Sequence, residues 1–170
     1  MIHFDNPFRP DPGDRDQARR FRGRLAAGVT IVTSGAGPDR TGLTVSSLLV
    51  IEGSPALVHL LVGPSTDLWA VAAESGHFVV HACAYDHHQL ADVFAGLSPS
   101  PGGLFAPVEA TPSDWGPVLT DLGDRLYCSF VSKEEMGWSG IVIGRIDEIE
   151  VSDLDDPLIH FRSSYRRLGK

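Results

Sequence analysis

The chain has 170 residues, 42% of them hydrophobic and 21% charged, with a formal net charge of −8. That length suits one domain with a sizeable core, and the acidic balance argues against a nucleic-acid-binding surface, whose affinity comes mainly from Lys and Arg. No apolar run approaches the roughly 18 residues of a membrane helix, and the opening MIHFDNPFRPDPGD lacks the apolar stretch of a secretory signal.

Pro7, Pro10 and Pro12 make residues 1–13 an extended arm that cannot be helical. Asp14 can cap a helix predicted through about Ala27, with Ala18, Phe21 and Leu25 as its apolar stripe and Gly28 as its stop. Two β-branched runs, residues 29–34 and 41–50, flank a short Gly/Pro/Asp segment and predict an antiparallel hairpin. The second run carries Thr44, Ser46 and Ser47 among Val and Leu. Because strand side chains alternate, Thr44 and Ser46 share one face and Ser47 takes the other. Such hydroxyls suit a ligand lying over a sheet edge, although Ser and Thr are also simply tolerated in strands.

Residues 56–62 form a nearly continuous apolar run, predicted as a strand buried on both faces. Pro64-Ser65-Thr66-Asp67 starts a helix that ends near Gly76. Its hydroxyls and free N–H groups make either a phosphate site or an ordinary N-cap. A strand over 78–84 follows, and then a helix from Asp86 to about Ala95, opened by a capping-box-like Asp86 and Gln89. Residues 96–117 are rich in Pro, Gly and Ser, a length of loop that is often a lid or binding loop. Residues 126–132 and 140–151 predict a second long hairpin, and 157–167 a short closing strand or helix. Many antiparallel strands and few short helices suggest a mainly β, closed or partly closed barrel over residues 14–170.

The two cysteines, Cys83 and Cys128, sit in apolar strands without a CxxC, and read as buried free thiols in a cytoplasmic protein. His59, His77, His81, His87 and His88 cluster in sequence, but their spacings fit no compact metal-binding pattern, so no metal is expected. Trp69 belongs to the core face of its helix through Ala72 and Ala73. Trp115 and Trp138 lie in the long loop and the second hairpin turn, where each either covers a planar ligand or packs across a dimer.

The ordered set GVTIVT, GLTVSS, Ser65-Thr66-Asp67-Leu68, the strand from Gly76 through Val80, the segment Leu90 to Phe94, Ile141 to Ile146, and Pro157-Leu158-Ile159-His160-Phe161 with Tyr165 resembles the flavin reductase-like family. The likeness runs over roughly residues 18–168. It implies an FMN-binding split β-barrel, usually a homodimer with flavin near the interface. The implied activity is that of an NAD(P)H-dependent reductase that supplies reduced FMN or FAD to a partner monooxygenase. By the same resemblance, Thr44, Ser46 and Ser47 line the flavin ring and ribityl chain, and Ser65 and Thr66 hold the phosphate. His81, Ala82 and Cys83 occupy the strand that passes the ring.

Many members carry Gly-Asp-His before the strand ending Gly-x-Val, with the His beside the nicotinamide. Here Gly137-Trp138-Ser139 stands in that place, so Trp138, Ser139 and Tyr165 become the expected nicotinamide-side contacts. Hydride transfer needs stacking more than a protein acid or base, so the change does not remove the chemistry. It leaves two other readings open: a flavoprotein that keeps its flavin and acts on an organic substrate, and a non-catalytic flavin-binding protein.

Overall fold

A computed structural model describes residues 12–168. In chain order its helices are α1 (Pro12–Arg22), α2 (Asp67–Ser75) and α3 (His88–Phe94). Its strands are β1 (Ala27–Gly28), β2 (Thr30–Ser34), β3 (Thr41–Val45), β4 (Leu48–Ile51), β5 (Leu57–Val62), β6 (His77–Ala82), β7 (Ala110–Thr111), β8 (Val118–Leu119), β9 (Arg125–Met136), β10 (Ser139–Glu150), β11 (Ile159–Phe161) and β12 (Ser164–Arg166).

Seven strands form one antiparallel sheet in the order β3-β2-β6-β9-β10-β5-β4. Its two edge strands, β3 and β4, are joined by Ser46 and Ser47 alone. Laid flat, six strand spacings would separate those edges by about 29 Å. Two linking residues reach only about 10 Å between Val45 and Leu48. The sheet therefore has to curl until its edges meet, which makes a barrel with a seam at Ser46–Ser47. The seam is pinned from both sides: the Thr30 hydroxyl donates to the Val45 carbonyl at 2.7 Å, and the Leu61 N–H donates to the Ser47 carbonyl at 2.9 Å. The run expected as one strand over 41–50 is thus two strands with different partners. Ser46 and Ser47 sit in the break rather than on the faces of a strand.

Alternation along β5 explains what fills the barrel. Val58, Leu60 and Val62 point inward and are fully buried, together with Val32, Phe78 and Val142. Leu57, His59 and Leu61 take the outer face and are only half-buried, so the strand is not buried on both sides as its composition suggested. Helix α2 closes the barrel with Leu68 and Ala72. Thr66 is its N-cap, accepting from the Trp69 N–H at 3.4 Å, and Gly76 ends it in the left-handed region that glycine adopts without strain (φ 75°). Gly140 lets β10 pass directly against the Trp69 ring, where a methyl would collide with the indole.

A second apolar cluster lies outside the barrel, with Ile31, Cys83, Ala91, Phe94, Phe105 and Leu158 at its centre. The middle of the excursion over 96–117 joins it through Leu104, Phe105 and Val108. Phe105 packs edge-on against Phe94 with centroids 5.3 Å apart, and the Arg40 guanidinium lies over Phe105. Trp115 closes a third, small cluster by packing on Tyr127 and donating to Asp147 at 3.1 Å.

The ends of the chain differ most from expectation. Helix α1 starts at Pro12 and stops at Arg22, because Ala27 and Gly28 pair with His160 and Ile159 instead of extending it. Phe21 and Leu25 are exposed in the single chain rather than forming a buried stripe. The rest of the expected arm, residues 1–11, lies outside the described residues. Asp86 does not cap α3; it is in a preceding 3-10 turn, where it pairs with Arg167 at 3.3 Å. The closing segment is a hairpin, β11–β12, turned by Arg162 and Ser163 at φ 50° and 61°. Both central residues with positive φ give a turn whose twist matches the strands. No helix of the described residues is long and apolar enough to cross a membrane.

Candidate functional site

The barrel seam opens onto three adjoining cavities of about 530, 550 and 440 Å³, and Ser46 is in the wall of each. These volumes are typical of small-molecule sites. In the first cavity the outer face of β5 and the start of β4 supply an apolar slab of Leu48, Leu49 and Leu61, continued by Ile141 of β10. Ser46 and Ser47 add hydroxyls at one side, and Arg19, Arg22, His59 and His160 are its ionisable side chains. A flat apolar wall, two hydroxyls and an entirely basic set of ionisable groups suit a planar ring that carries an anionic group, as a phosphorylated flavin does.

The second cavity shares Arg22, Ser46, His160 and Ser163 with the first and adds Thr44, Asp92 and Tyr165. The Thr44 hydroxyl hydrogen is committed, donating to the Ala91 carbonyl at 2.6 Å. Tyr165 stacks edge-on to His160 with centroids 6.2 Å apart. Burial, reinforced by the charge of Asp92 and a hydrogen bond to it, pushes the Tyr165 phenol up to about 12. At neutral pH it is a protonated donor and no proton acceptor. The third cavity runs along Ala82 and Cys83 beneath Leu154 and Pro157. Burial pushes the Cys83 thiol up to about 12, so it is not a nucleophile there.

The other expected site residues lie elsewhere. His81 is fully buried and walls none of the three cavities. Its Nδ1 pairs with the Ile31 carbonyl at 3.0 Å and its Nε2 accepts the Leu119 N–H at 3.0 Å, which assigns the proton to Nδ1. Desolvation lowers its pKa to about 4, so it is a neutral core group tying β2, β6 and β8 together. Ser65 and Thr66 also wall none of the three cavities. The Thr66 hydroxyl serves α2 and donates to the Gly63 carbonyl at 2.7 Å. Trp138 is 60% exposed at the tip of the β9–β10 hairpin. Ser139 begins β10 on the same alternating face as Ile141, one pair beyond the first cavity. Among the remaining histidines, His77, His87 and His88 each engage a nearby backbone group through Nδ1.

Sequence reasoning did not single out Arg19 or Arg22, and it named His59 and His160 without placing them at this cavity. The one available signal was Arg19 and Arg22 at a three-residue spacing, which puts both on one helix face.

A sequence profile described as "Flavin reductase like domain" matches residues 22–169. The chain belongs to the flavin reductase-like family. Among its relatives, the reductase component of 4-hydroxyphenylacetate 3-monooxygenase from Thermus thermophilus is 29% identical over 145 residues, spanning 85% of this chain and 91% of the relative. The NADH-dependent FMN reductase AsuE2 of Streptomyces nodosus subsp. asukaensis is 29% identical over 161 residues, spanning 93% and 86%. Among solved structures, the NADH:FAD oxidoreductase SgcE6 of Streptomyces globisporus, in complex with NAD and FAD fragments, superposes with a TM-score of 0.82 at 25% identity, covering 94% of this chain and 95% of that one. The curled seven-stranded sheet is therefore the family's split barrel.

Proposed function

We propose that this family member takes a hydride from NADH or NADPH, delivers it to FMN or FAD in the groove at Ser46, and releases the reduced flavin to a separate monooxygenase. The observation that carries the reading is the family match over residues 22–169 in a chain whose barrel seam opens on a groove of the right size and polarity. The flavin ring, when bound, supplies the hydride acceptor. Leu48, Leu61 and Ile141 give the ring an apolar bed and keep water from it. The Ser46 and Ser47 hydroxyls orient its polar edge. Tyr165 and His160 wall the adjoining cavity and would offer a nicotinamide ring an aromatic surface next to the flavin, since hydride transfer needs the two reacting atoms about 3–3.5 Å apart.

The protein acts as a homodimer in this reading. Edge strand β4 exposes Leu49, Val50 and Ile51, and Phe21 and Leu25 of the N-terminal segment are exposed as well. An uncovered apolar edge strand invites association. Leu49 and Leu25 also wall the first cavity, so a second copy on this face would complete the flavin site.

Catalytic amounts of the protein, mixed anaerobically with FMN or FAD and NADH or NADPH, should bleach the flavin absorbance over many turnovers. No bleaching with any pairing contradicts the proposal. Flavin that stays bound through gel filtration without oxidising either nucleotide would point instead to a flavoprotein with another substrate.

A further inference from the structure

We infer that Arg19 and Arg22, at the C-terminal end of α1, form a phosphate-binding subsite together with His160 and Ser163 of the closing hairpin. The inference rests on the nucleotide-binding reading above and names the residues that would hold the anion. In a chain of net charge −8, the first cavity has four ionisable side chains in its wall, Arg19, Arg22, His59 and His160, and no carboxylate. Neither arginine forms an ion pair among the described residues. Their three-residue spacing aims both from one helix face, and Arg22 borders the first and second cavities alike. The end of the helix is held in place, because the Arg162 N–H donates to the Gly23 carbonyl at 2.8 Å. That bond locks α1 to the hairpin that carries His160 and Ser163.

A helix C-terminus by itself repels anions, since its carbonyls carry partial negative charge. Two guanidinium groups reverse that sign locally, and their planar forks match phosphate oxygens in a way that an ordinary dipole-capping lysine does not. The helix N-terminus at Thr66, the other anion site suggested by the sequence, borders none of the three cavities. The phosphate is either the flavin's or the nicotinamide nucleotide's, and both present the same chemistry to the arginines.

The test is equilibrium binding of FMN, riboflavin and NADH to the full-length protein, to an Arg19→Ala/Arg22→Ala double variant, and to Arg22→Lys. Both side chains are exposed, so the melting temperature should not move. The double variant is expected to weaken the phosphate-bearing ligand by roughly 10- to 100-fold, the range for a lost charged hydrogen bond. Riboflavin, which has no phosphate, should change by less than about threefold, and Arg22→Lys should recover part of the loss because it keeps the charge but not the fork. A shift confined to FMN assigns the subsite to the flavin phosphate, and one confined to NADH assigns it to the nicotinamide nucleotide. Unchanged affinity of the double variant for both overturns the subsite while leaving the reductase reading intact. A wild-type protein that binds no FMN, riboflavin or NADH overturns both.

Discussion

Ser46 borders all three cavities at the barrel seam, whereas Thr66, the N-cap of the next helix, borders none of them. Two hydroxyl-bearing residues that look equivalent in sequence therefore have separable jobs. Ser46→Phe should fill the shared wall and weaken flavin binding by more than about tenfold with little change in melting temperature, since the site is only half-buried. Thr66→Ala should do the reverse. It should cost about 1 kcal/mol of stability through the lost cap and leave flavin affinity within about twofold. Fluorescence titration and thermal melts on both variants would separate the roles, and equal losses of affinity would refute the division.

His81 should make stability depend on pH. Its native pKa of about 4 lies below the ordinary 6.5, chiefly because burial penalises the charged ring. Between those values the unfolded chain takes up a proton and the native chain does not. The contribution is therefore complete above about pH 6.5 and is lost as pH falls towards 4, by roughly 3 kcal/mol. In His81→Leu the Leu119 N–H loses its acceptor, at a cost of about 1–3 kcal/mol. The variant should melt several degrees lower at pH 8 and show a shallower decline between pH 6.5 and 4. An unchanged decline would show that other groups set it.

Gly140→Ala tests how closely the long hairpin lies on α2. A methyl there meets the Trp69 ring, and the indole is also held by Lys133, whose ammonium donates to the Trp69 carbonyl at 2.8 Å and lies 4.9 Å from the ring centroid. The ring has little freedom to withdraw, so the substitution should cost about 1–3 kcal/mol in chemical denaturation. A neutral result would mean that the contact relaxes freely.

The exposed β4 edge gives a test of assembly. Val50→Glu places a charge on a strand edge that is 51% exposed in the single chain. Sedimentation should show a dimer for the wild type and a shift towards monomer for the variant, with weakened flavin binding if the partner copy completes the cavity. A monomeric wild type with full affinity would contradict the dimeric site.

Much of the fold was legible because it rests on local patterns. The apolar run over 56–62 marked β5 as a strand, though not which of its residues face inward, and a hydroxyl cap with a following glycine bounded α2. What local pattern could not show was which strands pair. Residues 41–50 read as one apolar run, yet the chain leaves β2 for β5 at Ser46, and only the sheet order makes that crossing necessary. Helix α1 stops early because Ala27–Gly28 finds partners more than 130 positions away. Lys133, Glu134 and Glu135 read as a connecting turn, but they extend β9, because exposed ladder positions tolerate charge.

The site was legible in the same uneven way. Ser46 and Ser47 stood out as hydroxyls in an apolar run, and they wall the first cavity. His81 drew attention by its place on the strand, but its ring turns into the core to satisfy two backbone groups. Arg19 and Arg22 on one side, and His160 on the other, are brought together only by the pairing of the chain's two ends.

The most direct measurement is a crystal structure of the protein with FMN bound. The account predicts an isoalloxazine ring against Leu61 and Ile141, with Ser46 or Ser47 within hydrogen-bonding distance of its polar edge. A ring bound elsewhere, out of reach of both serines within a protomer and across any dimer, would contradict it.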